Sequence, residues 1–258
     1  LTCGIQSRAT ETGFDTNDKV GLFVANYNGS TATALQFTGN YVDNLCFTYN
    51  GQWTPSKTIY WKDETTKADF YLYYPYLTLS SLTAQPFAVK EDQSTIENYK
   101  ASEFLWGKTL GVTPTESSVN IMTSHIMSAT IVNVAAGNGF TAESLAAANV
   151  SVKMNGLKVN ATVNIATGLA TATGDAKSVS FYKDSGVWRA ILVPQTVDET
   201  NLITVMIDGR EYNLKKAFTF EAAKRYTFTV TVTKTSEGIN VGITSWSDDG
   251  KDNGGTAV

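Results

Sequence analysis

The clearest pattern along the chain is a period of two. From Tyr226 to Thr233 the sequence runs YTFTVTVT, an apolar side chain at every second position with threonine between, as in a strand with one buried face. Comparable runs recur through the second half at 150–154, 158–165, 178–182, 188–193, 202–207, 210–214 and 239–243. The turns between them carry Asn155-Gly156, Thr167-Gly168, Ser185-Gly186, Asp208-Gly209 and Glu237-Gly238. Short strands at this regular spacing, punctuated by Gly turns, predict an antiparallel β-sandwich. In the first half, strands are predicted at 19–25 and 45–49, with Asn50-Gly51 turning the chain back toward Trp53.

The stretch 59–76, IYWKDETTKADFYLYYPY, reads as an aromatic hairpin. Ile59-Tyr60-Trp61 and residues 69–74 would be its arms, a charged insert its turn, and Pro75 its end. Thr141 before an Ala- and Leu-rich run predicts one short helix over 141–149. Residues 119–134 predict a strand pair or one bent strand. Residues 77–118 are less patterned apart from the strand-like Phe104-Leu105-Trp106-Gly107. The segment 110–118, LGVTPTESS, has no apolar period and suits a boundary. The fold expected is all-β, two sandwich domains at 1–114 and 115–258, with the helix in the second.

Composition narrows the function. Charged residues make up 17% of the chain, the net charge is −4, and the 20 Lys and Arg are dispersed. Phosphate backbones demand clustered cations, so no nucleic-acid partner is expected. No apolar run reaches the ~20 residues of a membrane-spanning helix. Thr, Ser, Ala, Asn and Gly are plentiful, a composition common in exported β-sandwich proteins.

Catalytic chemistry finds little to use. The single histidine, His125, has no GxSxG elbow beside it and no HExxH, so it reads as a structural strand residue. Carboxylates such as Asp63-Glu64 and Asp248-Asp249 lie in polar turns where solvation accounts for them. No enzyme, metal or cofactor is expected. Cys46 reads as a small apolar strand residue. Cys3, in Leu1-Thr2-Cys3-Gly4, is either a terminal cysteine or the lipid-bearing residue of an exported lipoprotein.

Four groups of residues resemble the fimbrillin-like family of Bacteroidales, the subunits of protease-assembled (type V) pili. They are Arg8-Ala9-Thr10-Glu11-Thr12 with Phe14 and residues 20–24; Trp53 with 59–61 and 69–76; Ser124-His125-Ile126-Met127-Ser128-Ala129; and 226–232 with Ile243-Thr244-Ser245-Trp246. They occur in order over nearly the whole chain.

The resemblance implies transthyretin-like sandwich domains, export to the outer membrane and cell surface, and a lipid anchor before processing. It also implies a structural or adhesive fimbrial subunit whose partners are other fimbrial subunits and a host or bacterial surface ligand. Arg8–Ala9 would be the cleavage junction, with an exposed tail arginine as the plain alternative. Ile239, Val241, Ile243 and Trp246 would mark the exchanged strand. Two departures stand beside it. Lipidation at Cys3 would leave a removable segment too short for a strand, and the tail 248–258, DDGKDNGGTAV, lacks apolar alternation. Both fit an anchor, tip or minor subunit better than a shaft polymer. A surface glycan-binding module is the competing reading, and it requires several of Trp53, Trp61, Tyr71 and Tyr74 on one open face.

Overall fold

The computed structural model describes residues 13–235 and 238–243 of the chain. They fold as the all-β protein that the patterns predict, with sixteen strands and two short helices. The chain forms two compact units, neither continuous in sequence. One takes in the chain up to Phe87 with Glu103–Ile126 and Thr162–Ala170. The other takes in Ala88–Ser102, Met127–Ala161 and the chain from Thr171 onward.

The first unit is built on one six-stranded antiparallel sheet. Its strands are β1 (Lys19–Asn26), β2 (Val42–Tyr49), β3 (Trp53–Pro55), β4 (Ala68–Tyr74), β6 (Leu105–Val112) and β7 (Ser124–His125). The intervening β5 (Gln85–Ala88) belongs to another sheet. The order is β3-β2-β1-β4-β6-β7. One face carries Val20, Leu22 and Val24 of β1 with Phe47 of β2 and Phe70 and Leu72 of β4, closed over by Val119 and Ile121. Asn50-Gly51 turns β2 into β3 as expected, and Tyr49 pairs with Trp53.

The aromatic stretch does not form a hairpin. Residues 59–61 are not strand, and only β4 is. Phe70 pairs with Val24 on one side and Thr109 on the other, so β4 has no free edge left for a second arm. Trp61 packs instead: its ring meets Phe70 edge-on at 5.8 Å, and its Nε1 donates to Thr115 O at 3.0 Å. Strand propensity in Ile59-Tyr60-Trp61 had no backbone partner to act on.

The second unit contains the helices α1 (Ile96–Lys100) and α2 (Ala142–Ala147). Thr141 caps α2 through a reciprocal bond with Ser144, as its sequence position predicts. Helix α1, capped by Thr95, was not anticipated in the weakly patterned stretch before it. Between 119 and 134 the chain makes two strands, β7 and β8 (Ser128–Ala136).

Two further sheets involve strands of this unit. One orders β10 (Leu169–Ser180), β9 (Val150–Asn164), β13 (Gln195–Ile207) and β14 (Arg210–Phe220), with β5 also pairing to β9. The other orders β11 (Tyr182–Asp184), β12 (Val187–Leu192), β8, β15 (Arg225–Thr235) and β16 (Gly238–Ile243). The Phe218 ring of β14 meets those of Tyr226 and Phe228 of β15 at 5.1 and 5.3 Å. The alternation along β15 is realised: Tyr226, Phe228, Val230 and Val232 are buried.

Local turn chemistry sets several connections. Asp208 and Gly209 have φ of 47° and 82°, and Ile207 pairs with Arg210 across them. These are the two left-handed residues of a two-residue hairpin turn. Asn155-Gly156, by contrast, is no turn. The Asn155 amide donates to Asn201 O (2.7 Å) and Thr204 Oγ1 (2.9 Å) and accepts from Ser178 Oγ (2.7 Å). It therefore ties β9 to β13 and β10, and the runs expected at 150–154 and 158–165 are one continuous strand.

Candidate functional site

The residues singled out in the sequence lie toward the two chain ends, and the described residues include the approach to both. At the first, Phe14 fits among three rings. Its centroid lies 4.8 Å from Trp53 at 82°, 5.6 Å from Tyr74 and 5.9 Å from Tyr49. Asn17 N donates to Tyr49 O and Tyr49 N to Asp18 O, both at 2.8 Å, so the leading segment runs along β2. The Tyr74 hydroxyl donates to Asp18 Oδ1 at 3.3 Å. Burial, then the neighbouring Asp18 charge, push the Tyr74 phenol well above its ordinary range, so it remains a donor. The chain is thus anchored five residues after Ala9.

At the second end, β16 is the outermost strand of its sheet among the described residues. It runs antiparallel to β15, with Ile243 opposite Val230, Val241 opposite Val232 and Ile239 opposite Lys234. Its backbone is held by β15 on one side, and β14 also comes close to it. β15 itself pairs in parallel with β8, Tyr226 opposite Thr130 and Phe228 opposite Val132. The sequence-predicted residues Ile239, Val241 and Ile243 therefore share one edge strand. Cys3, Arg8, Ala9, Trp246, Glu237 of the expected last turn, and the tail from Asp248 lie outside the described residues. Cys46 sits half-buried on β2.

The edges of the first unit's sheet are short: β3 has three residues and ends in Pro55, and β7 has two. Short edges and an edge proline blunt uncontrolled strand addition. The four rings required for a glycan face are not exposed together. Tyr71 is buried, Trp53 and Tyr74 pack around Phe14, and Trp61 packs on Phe70. Sequence reasoning marked Phe14 only as part of a motif; its ring clamp depends on contacts across 60 residues of chain.

His125 holds a structural position on β7. Its Nδ1 lies 2.8 Å from Glu103 Oε2, and Glu103 Oε1 accepts from Phe104 N at 3.0 Å. Burial alone would lower the imidazole pKa, but the hydrogen bond and charge of Glu103 outweigh it and leave the pKa raised. A raised pKa means the pair stabilises the fold fully below the unfolded value of ~6.5, and this contribution fades as pH rises through the folded value. His125 is the chain's one histidine, so it dominates the slope of stability in that window. Urea denaturation from pH 6 to 8 is expected to show stability declining with pH, and Glu103→Gln is expected to flatten the decline. An unchanged slope in that variant would rule the pair out as its source.

Among the described residues no group of three or more His, Cys, Asp or Glu could hold a metal, and no helix is long and apolar enough to cross a membrane. What the geometry of the described residues defines is an all-β protein of mainly antiparallel sheets, with β16 at the edge of one of them. The chain belongs to the fimbrillin-like family, whose sequence model matches residues 7–246.

It is 24% identical over 264 aligned residues to the "Putative fimbrium subunit Fim1C" of Bacteroides uniformis, covering 95% of this chain and 84% of that protein. Its fold is shared by a "putative cell adhesion protein" from Bacteroides ovatus, with a TM-score of 0.74, 20% identity and coverage of 96% and 95%. It is also shared by a protein of the same description from Bacteroides uniformis, with a TM-score of 0.69, 22% identity and coverage of 91% and 93%.

Proposed function

We propose that this protein is a non-enzymatic structural subunit of a cell-surface fimbria, matured by removal of an N-terminal segment at Arg8–Ala9 and assembled by donor-strand exchange. Family membership over 7–246 is the observation that carries the subunit role. The edge position of β16 supports the exchange, with Ile239, Val241 and Ile243 as its apolar positions. Departure of a terminal strand exposes backbone N–H and C=O groups and apolar surface, and a strand from a neighbour satisfies both together. The contact is head-to-tail and does not close, so it propagates a fibre. In this reading Phe14 and its ring clamp retain the new terminus after cleavage. Cys3 would carry the lipid that holds the precursor at the outer membrane. The partners are then other fimbrial subunits.

Limited digestion with an Arg-specific protease, N-terminal sequencing and an unboiled denaturing gel test the proposal. The expected result is one cut that leaves Ala9 as the new terminus, followed by a detergent-resistant ladder. Resistance at Arg8 in the folded chain refutes maturation at this junction. A clean cut without multimers, even with other subunits of the fimbria added, refutes assembly by exchange.

A further inference from the structure

The first unit has a pocket of about 350 Å³ beside its sheet. Val24, Phe47 and Phe70, from β1, β2 and β4 respectively, contribute its apolar floor. Three rings border it. Trp61 is fixed by its bond to Thr115 O and its edge-on contact with Phe70. Tyr41 donates its hydroxyl to Tyr60 O at 3.0 Å, tying two separate loops together. Tyr60 nevertheless remains 76% exposed and Tyr41 42% exposed. The unusual feature is a largely open ring at Tyr60, set on a loop whose carbonyl Tyr41 holds and next to a Trp61 ring fixed by its own hydrogen bond.

The lining chemistry selects among occupants. All three floor strands are interior to the sheet, with ladder partners on both sides, so the floor offers no free main-chain edge to an added peptide strand. Glu116 is the one ionisable acid among the lining residues, and no Lys or Arg joins it, which disfavours an anion. Thr58 and Ser117 add hydroxyls near the rings. A wholly apolar ligand would strip water from these groups without replacing their hydrogen bonds. A pyranose has a C–H face that stacks on an aromatic ring and an equatorial belt of hydroxyls that both donate and accept. The volume lies at the small end of ligand pockets, the size for one or two sugar units.

We infer that this pocket is a binding site for a neutral saccharide, with Tyr60 and Trp61 as stacking surfaces and Glu116 accepting from sugar hydroxyls. Of the rings sought in the sequence for an open face it uses only Trp61, joined by Tyr60, and it stands whether or not the subunit exchanges strands.

The test is amide NMR on the unpolymerised chain, titrated separately with glucose, galactose, mannose, N-acetylglucosamine, lactose and cellobiose, and with choline as an organic-cation probe. At least one sugar is expected to give saturable shifts confined to residues around Tyr60, Trp61 and Glu116. Tyr60→Ala, at a largely exposed position that leaves the fold intact, is expected to weaken that sugar about tenfold or more, the loss of roughly one good contact. Glu116→Gln is expected to weaken it severalfold. The inference is overturned if no sugar gives saturable shifts, if the shifts ignore Tyr60→Ala, or if choline alone saturates the site.

Discussion

Gly107→Ala is expected to destabilise the protein by about 3 kcal/mol, the upper part of the range for forcing extra volume into a packed site. A Cβ at this position of β6 would overlap Met122 O and lie 2.8 Å from Met122 C and 2.9 Å from Thr123 Cα. All three atoms are backbone, so no rotamer change relieves the clash. The segment 119–123 would have to move away from β6. That segment also carries Val119 and Ile121 into the core, where they are 6% and 0% exposed, and its Asn120 O accepts from Thr109 Oγ1 at 2.8 Å. Displacing it exposes apolar surface in addition to straining the chain. Urea denaturation of the two proteins measures the difference from the shift in midpoint at unchanged m-value. A loss under about 0.5 kcal/mol, within the range of ordinary surface substitutions, would show that the close approach is not a constraint.

The second large effect is expected at Gln93, which is fully buried. Its side-chain Nε2 donates to Ile191 O at 2.7 Å and to Lys90 O at 3.1 Å, while its Oε1 accepts from Ile191 N at 2.9 Å. Ile191 lies on β12 past the end of the short β11, whose pairing with β12 covers only Val187, Trp188 and Arg189. The Gln93 carboxamide therefore stands where a neighbouring strand residue would stand. It presents one donor and one acceptor to a single residue's backbone.

Gln93→Ala leaves that N–H and C=O buried and unpaired, and each such group costs about 1–3 kcal/mol. The expected loss is about 3 kcal/mol, read by urea denaturation. Gln93→Glu supplies a sharper check because its second oxygen would face Ile191 O. Burial raises the pKa of such a carboxyl, so the folded state binds the extra proton and stability rises on acidification. If Gln93→Ala proves near neutral, the amide is not closing this edge.

These two residues illustrate what pattern reading misses. Gln93 lies in a polar stretch with no period, and nothing nearby in sequence announces a bond to a residue 98 positions away. Gly107 was legible as part of a strand, but not as the point where another segment crosses it. For the candidate strand-exchange segment, the alternation of Ile239, Val241 and Ile243 was visible beforehand, whereas its pairing to β15 at the edge of a sheet was not. The saccharide pocket was illegible as a unit. Tyr60 and Trp61 stood out in the aromatic run, but Tyr41 and Glu116 come from two other loops with nothing in sequence to join them.

The sequence by itself determined whatever depends on a few consecutive residues. Alternation marked β15, Asp208-Gly209 and Ser185-Gly186 produced two-residue hairpin turns, and Thr141 capped its helix. Each is fixed by local sterics or a hydrogen bond within one turn of chain. The tertiary structure decided which strands found partners. Ile59-Tyr60-Trp61 had strand propensity but met a β4 already paired on both sides, and Asn155-Gly156 had turn chemistry but was drawn into a bridge between three strands. Strand pairing is a competition among segments distant in sequence for a fixed number of backbone donors and acceptors, and local composition does not record the outcome.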